Sequence, residues 1–122
     1  MISNLADRPP ISYLNFTHHY MKLDEEEGTT IRMSLKDKNG YVRRVDDIIW
    51  MIHIPNVKFK AQIIGIERKR IEDIPLFLLK KDVAPFQCNC HEDFIQLVQA
   101  FYRWQTITKD TQMYIIYWRR IE

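Results

Sequence analysis

The chain has 122 residues and a formal net charge of +2, with 46% apolar and 12% aromatic residues. That length suits one hydrophobic core and divides poorly into two domains, and the aromatic content excludes a disordered chain. The longest apolar runs, such as Ile48 to Ile52, fall far short of the roughly 20 residues a membrane-crossing helix needs, and a charge of +2 is too small to signal nucleic-acid binding by itself.

Residues 1–10 hold Pro9-Pro10 and little periodicity, which predicts an N-terminal arm and leaves 11–122 as one folded domain. No basic stretch is followed there by an apolar one, so the expected location is the cytoplasm with no membrane partner. Ile11 to Phe16 reads as a short strand. Thr17 is placed to cap a helix from His18 to about Glu26, which Gly28 can end in the left-handed conformation. Thr29 to Ser34 then returns as a strand, and Lys36 to Gly40, with its Asn-Gly pair, forms a polar turn. Val45 to Ile54 predicts a buried strand, followed by a turn at Pro55-Asn56.

Alternation is clearest from Val57 to Glu67, where Val57, Phe59, Ala61, Ile63 and Gly65 share one face and Lys58, Lys60 and Gln62 the other. Near Ile64 and Ile66 the second face also turns apolar, as if another element covers that end. A short helix follows Asp73-Ile74-Pro75, with Leu76, Leu78 and Leu79 inward and Lys80-Lys81 in its last turn. Asn89 with Glu92 forms a capping-box pattern ahead of Phe94, Leu97, Val98, Phe101 and Tyr102 at helical spacing. Gln112 to Ile121 closes the chain as a β-branched and aromatic strand. The order β-α-β-β-β-α-α-β argues against a doubly wound parallel sheet.

Three ordered stretches carry a family likeness: Leu14-Asn15-Phe16 through Thr30-Ile31-Arg32; Phe59 to Ile66 followed by Asp73-Ile74-Pro75; and Glu92-Asp93-Phe94 through Phe101-Tyr102 and then Tyr114-Ile115-Ile116. Between roughly Tyr13 and Trp118 the chain resembles the ASCH superfamily. The resemblance implies an α+β fold, a PUA-like small mixed β-barrel with about three short helices, and a role in handling RNA or modified nucleotides. The family signature is Gly-x-Lys-x-x-Glu-x-Arg, with Thr in place of Glu in amidohydrolase members. Counting back from Arg32 puts Thr30 at the Glu/Thr position, Glu27 where the lysine belongs and Glu25 where the glycine belongs. In members that resemble acetylcytidine amidohydrolases, a threonine nucleophile works with that lysine and with an acid after the long strand, for which Asp82 is the candidate here.

A threonine hydroxyl is a weak nucleophile and needs a base or a nearby cation. Glu27 cannot supply the positive charge, whereas Lys22, about one helical turn earlier, is the candidate to reach the same pocket. Arg32 suits bidentate contact with a phosphate or pairing with a buried acid. Lys58, Lys60, Arg43 and Arg44, with the run Arg68-Lys69-Arg70, form a basic surface if the fold gathers them, and Tyr13, Tyr20, Trp50 and Trp104 are candidates to stack on an unpaired base. Cys88 and Cys90 are too close in sequence for a relaxed bridge and are expected as thiols. The Cys-x-Cys spacing beside His91 departs from a zinc knuckle, so neither metal nor cofactor is expected.

The leading expectation is an RNA- or nucleotide-binding module linked to RNA metabolism or translation. Thr30 and Arg32 line its cleft, and Lys58 and Lys60 hold a phosphate backbone. The alternative is a hydrolase in the same cleft, an amidohydrolase on an acetylated cytidine-type nucleoside through Thr30 and Asp82, or a ribonuclease. A protein-interaction domain is the third class.

Overall fold

The computed structural model describes residues 5–17, 20–55 and 57–122. Five strands form one sheet: β1 (Ser12–Asn15), β2 (Glu27–Arg32), β3 (Ile48–His53), β4 (Val57–Arg70) and β5 (Gln112–Arg120), in the spatial order β1-β3-β4-β5-β2. Only β1 and β3 run parallel; the other pairs are antiparallel. Two helices, α1 (Leu76–Val83) and α2 (His91–Phe101), fill the long connection from β4 to β5.

The alternation of β4 buries Phe59, Ala61 and Ile63 and then slips by one residue. A register shift between Ile63 and Gly65 leaves Ile64 exposed and brings Ile66, not Gly65, onto the inner core. A bulge of this kind bends a long strand and increases its twist, which curls the sheet. Inside the curl pack Leu14, Phe16, Ile49, Met51, Phe59, Ile63, Ile116 and Trp118. The helices cover the outer face near β5 and β2, burying Leu79, Val83, Phe94, Val98, Met113, Ile115 and Ile31. β5 is therefore apolar on both sides, Met113 and Ile115 toward the helices and Ile116 and Trp118 toward the curl.

The barrel expected from the family likeness is not closed. Backbone pairing stops at β1 on one edge and β2 on the other, so the curl keeps a seam between them. Two arginines reach toward β1 instead of a backbone ladder. Arg32 donates through Nη2 to the Asn15 carbonyl at 2.9 Å, and Arg43 donates through Nε and Nη2 to the Tyr13 carbonyl at 3.1 and 2.7 Å. A guanidinium spans farther than a backbone amide and carries several donors in a fixed fork.

Other local expectations shift as well. In place of a helix reaching Glu26, one 3-10 turn spans Met21–Asp24, and β2 begins at Glu27, because Glu27, Gly28 and Thr29 pair with Arg119, Trp118 and Tyr117 of β5. His18 and His19, where that helix was to start, and Asn56 of the expected turn lie outside the described residues. Gly28 sits inside a strand, where a Cβ would stand 2.6 Å from the Trp118 ring; close approach, not a left-handed turn, explains the glycine. The cap of α2 moves one residue, with Cys90 at the N-cap and Asp93, not Glu92, accepting from the Asn89 N–H at 2.8 Å. Cys88 and Cys90 are both free thiols.

Candidate functional site

Where the seam stays open, the chain builds a concave pocket of about 150 Å³. Its walls come from both sheet edges and both helices: Asn15 and Phe16 at the end of β1, Tyr20 and Lys22 from the turn that follows, Thr30 and Arg32 from β2, Asp82 from α1, and Leu97, Phe101 and Tyr102 from α2 and its end. Thr30 and Arg32 are two residues apart on a strand, so their side chains leave the same face. Arg32 donates through Nε to the Thr30 hydroxyl at 3.3 Å, and its guanidinium carbon lies 4.8 Å from the Phe16 ring centroid.

The centre of the wall is an ion pair between residues sixty positions apart. Lys22 Nζ meets Asp82 Oδ1 at 2.5 Å, and the same oxygen accepts the Ile31 backbone N–H at 3.1 Å. Both side chains are almost wholly covered, 7% and 12% exposed. Asp82 sits in the last turn of α1, where the helix dipole disfavours a carboxylate. Lys22 and the edge amide of β2 offset that disadvantage. Burial pulls the Lys22 ammonium below the ordinary lysine range, while the Asp82 carboxylate acts in the opposite direction. The ammonium also stands 5.2 Å from the ring centroids of both Phe16 and Tyr20. Burial also raises the Tyr20 phenol above its usual range.

The sequence-predicted residues thus divide. Thr30, Arg32, Lys22 and Asp82 share the pocket. Glu27, the residue counted into the signature's lysine position, is exposed at the start of β2 and outside the pocket lining; the buried cation of the pocket wall is Lys22, because the chain makes a tight 3-10 turn there and not the helix assumed in the count. Arg43 is buried and spends its donors on the carbonyls of Tyr13, Leu35 and Lys36, so its position is that of a strut across the seam. Arg43→Met is therefore expected to lower stability by about 1.5–3 kcal/mol, the range for hydrogen bonds to a charged group, and to leave ligand titrations at the pocket unchanged. Chemical denaturation beside calorimetric titration checks both halves.

Arg44 is exposed, next to Tyr41 and Asp47, away from the pocket. Lys58 and Lys60 project from the sheet's outer face over Trp50, at 4.5 and 5.5 Å from a ring centroid, and Lys60 also donates to the Ala6 carbonyl at 2.7 Å. Lys58 is in register with Ile52 and Asn15, which sets it two strand spacings, about 10 Å, from the pocket edge. Arg43 and Arg44 do not join that strip.

Sequence reasoning left Phe16 and Phe101 out of the site. An apolar residue at a strand end or on a helix carries no signature of its own, and Phe16 becomes a pocket wall only because the sheet stops pairing beside it.

The uncharacterized protein MJ0364 of Methanocaldococcus jannaschii is 41% identical over 110 residues, which span 88% of this chain and 95% of that one. The chain belongs to the MJ0364 family. No protein-family model matches it. Among solved structures, the crystal structure of the hypothetical protein PH0355 superposes with a TM-score of 0.61 over 90% of this chain and 98% of the other, at 18% identity. That likeness is one of fold. As a member of the MJ0364 family, this chain has a small mixed α+β architecture in which, among the described residues, no helix is long and apolar enough to cross a membrane.

Proposed function

We propose that the seam pocket binds a pyrimidine-sized base, as a nucleotide or as an unpaired residue of RNA, in keeping with the resemblance to the ASCH superfamily. The observation that carries this reading is the gathering of the Arg32 guanidinium, the Lys22–Asp82 pair and the rings of Phe16, Tyr20 and Tyr102 around one cavity of about 150 Å³. A cavity of that size accepts one benzene-sized ring, so a pyrimidine fits its volume better than a purine. The aromatic rings offer stacking surfaces, the Thr30 hydroxyl offers a hydrogen bond, and the Arg32 guanidinium favours a carbonyl oxygen or phosphate. The Lys58–Trp50–Lys60 strip, about 10 Å away, offers a track for further phosphates.

Calorimetric titration with cytidine and uridine monophosphates, their purine counterparts and short single-stranded RNA tests the reading. Pyrimidine nucleotides are expected to bind in preference to purines, RNA affinity to fall as salt rises, and Arg32→Ala to weaken both by roughly tenfold or more. An absence of binding by every nucleotide and RNA at low salt sinks it.

A second reading is supported by a specific feature, the Lys22–Asp82 pair in the wall that also carries Thr30. A hydroxyl with a cation and an acid beside it is the equipment of a threonine nucleophile, and Lys22 supplies the positive charge that Glu27 lacks. Amide hydrolysis of acetylcytidine is the corresponding reaction: the hydroxyl oxygen attacks the acetyl carbonyl, cytidine leaves with a proton, and water releases acetate from the threonine. Turnover of acetylcytidine abolished by both Thr30→Ala and Lys22→Met supports it, and cleavage of RNA without added metal points instead to a ribonuclease in the same cleft.

A further inference from the structure

We propose that Tyr102 and Trp104 form a second stacking position at the mouth of the seam pocket, so that the ligand is a single RNA strand in preference to a free mononucleotide. The inference rests on the nucleotide-binding reading above and adds a neighbouring base to it.

Trp104 is 76% exposed, which leaves an indole face open to a ligand just past the end of α2. It is also well fixed. The Gln99 side chain donates to the carbonyls of Tyr102 and Gln105 at 2.9 and 2.7 Å and accepts the Ile107 N–H at 2.9 Å. One glutamine thereby clamps the backbone on both sides of Trp104. The indole is held edge-on to the Tyr102 ring, with centroids 5.6 Å apart and planes at 75°. Tyr102 itself lines the pocket, so Trp104 stands one ring outward from the first base position.

A pre-positioned ring loses little freedom on binding, which is the condition under which stacking adds affinity. The charge suits the same partner. Arg32 puts a guanidinium in the pocket wall beside Tyr102, as a phosphate joining two bases requires. A purely apolar protein partner has no use for that charge.

The test compares uridine monophosphate with the dinucleotide pUpU by calorimetry. The wild-type chain is expected to bind the dinucleotide about tenfold more tightly. Trp104→Ala removes that advantage and leaves the mononucleotide affinity as it was, Trp104→Phe keeps most of it, and Arg32→Ala weakens both ligands. Because Trp104 is exposed, an unchanged melting curve shows that the variants are folded. Equal affinity for the two ligands, or a dinucleotide advantage that survives Trp104→Ala, overturns the second position while leaving the pocket reading standing. Failure of both ligands to bind removes both proposals.

Discussion

Asp82→Asn is expected to lower folding stability by about 3–5 kcal/mol at neutral pH, the range for removing one partner of a buried ion pair. The amide keeps an oxygen for the Ile31 N–H, so the loss isolates the charge. Lys22 is then left inside the wall, 7% exposed, with no carboxylate to compensate its desolvation. The double variant Lys22→Met with Asp82→Asn removes both charges and is expected to recover much of the loss, because the penalty lies in the unpaired ammonium. Urea denaturation of the four species gives the coupling directly. A single-variant loss below about 1 kcal/mol contradicts the buried-pair geometry.

The pH dependence has a defined sign. Lys22 has a folded pKa below its unfolded value of 10.5, so the unfolded chain binds more protons between the two values. Stability therefore rises with pH across that window. Asp82→Asn takes away the attraction that held the folded value up, which lowers it further and widens the window. The variant is thus expected to regain stability relative to the parent as the solution becomes more alkaline.

Trp118→Ala is expected to cost about 3–5 kcal/mol, since the indole is fully buried inside the curl and packs with its ring centroid 5.7 Å from that of Phe59. Trp118→Phe is expected to cost far less, under about 1.5 kcal/mol. Among the described residues the buried indole Nε1 has no hydrogen-bond partner, so phenylalanine loses some volume but also removes a donor that no described residue accepts. Thermal or urea melts of the two variants decide it, and a Phe variant as damaged as the Ala variant argues that the indole nitrogen is satisfied by ordered water.

Much of the architecture was legible because strands announce themselves by alternation and helices by a longer period. Phe59, Ala61 and Ile63 marked β4, Phe94 and Val98 marked α2, and the order of five strands with two late helices follows from those periods. Local rules misplaced what depends on a distant partner. The segment before Gly28 became a 3-10 turn and then a strand because β5, about 90 residues later, offers a ladder for Glu27 to Arg32, and ladder hydrogen bonds outweigh a weak helix preference. Counting a signature through that segment consequently landed on Glu27 and passed over Lys22.

The candidate site divides along the same line. Thr30, Arg32 and Asp82 were legible as chemistry, from residue type and family likeness. Lys22 was a candidate for the same pocket, but its pairing with Asp82 and the enclosure by Phe16 and Tyr102 were not legible, since residues 15, 22, 30, 82 and 102 share a cavity only where two sheet edges fail to meet. What the sequence by itself determined is the set of elements and the stock of reactive side chains, because both are written in local period and residue type. Only the tertiary structure decided that the sheet stays open, that Arg43 braces the seam while Arg32 lines it, and that a buried lysine finds its acid, because each depends on contacts between segments far apart in the chain.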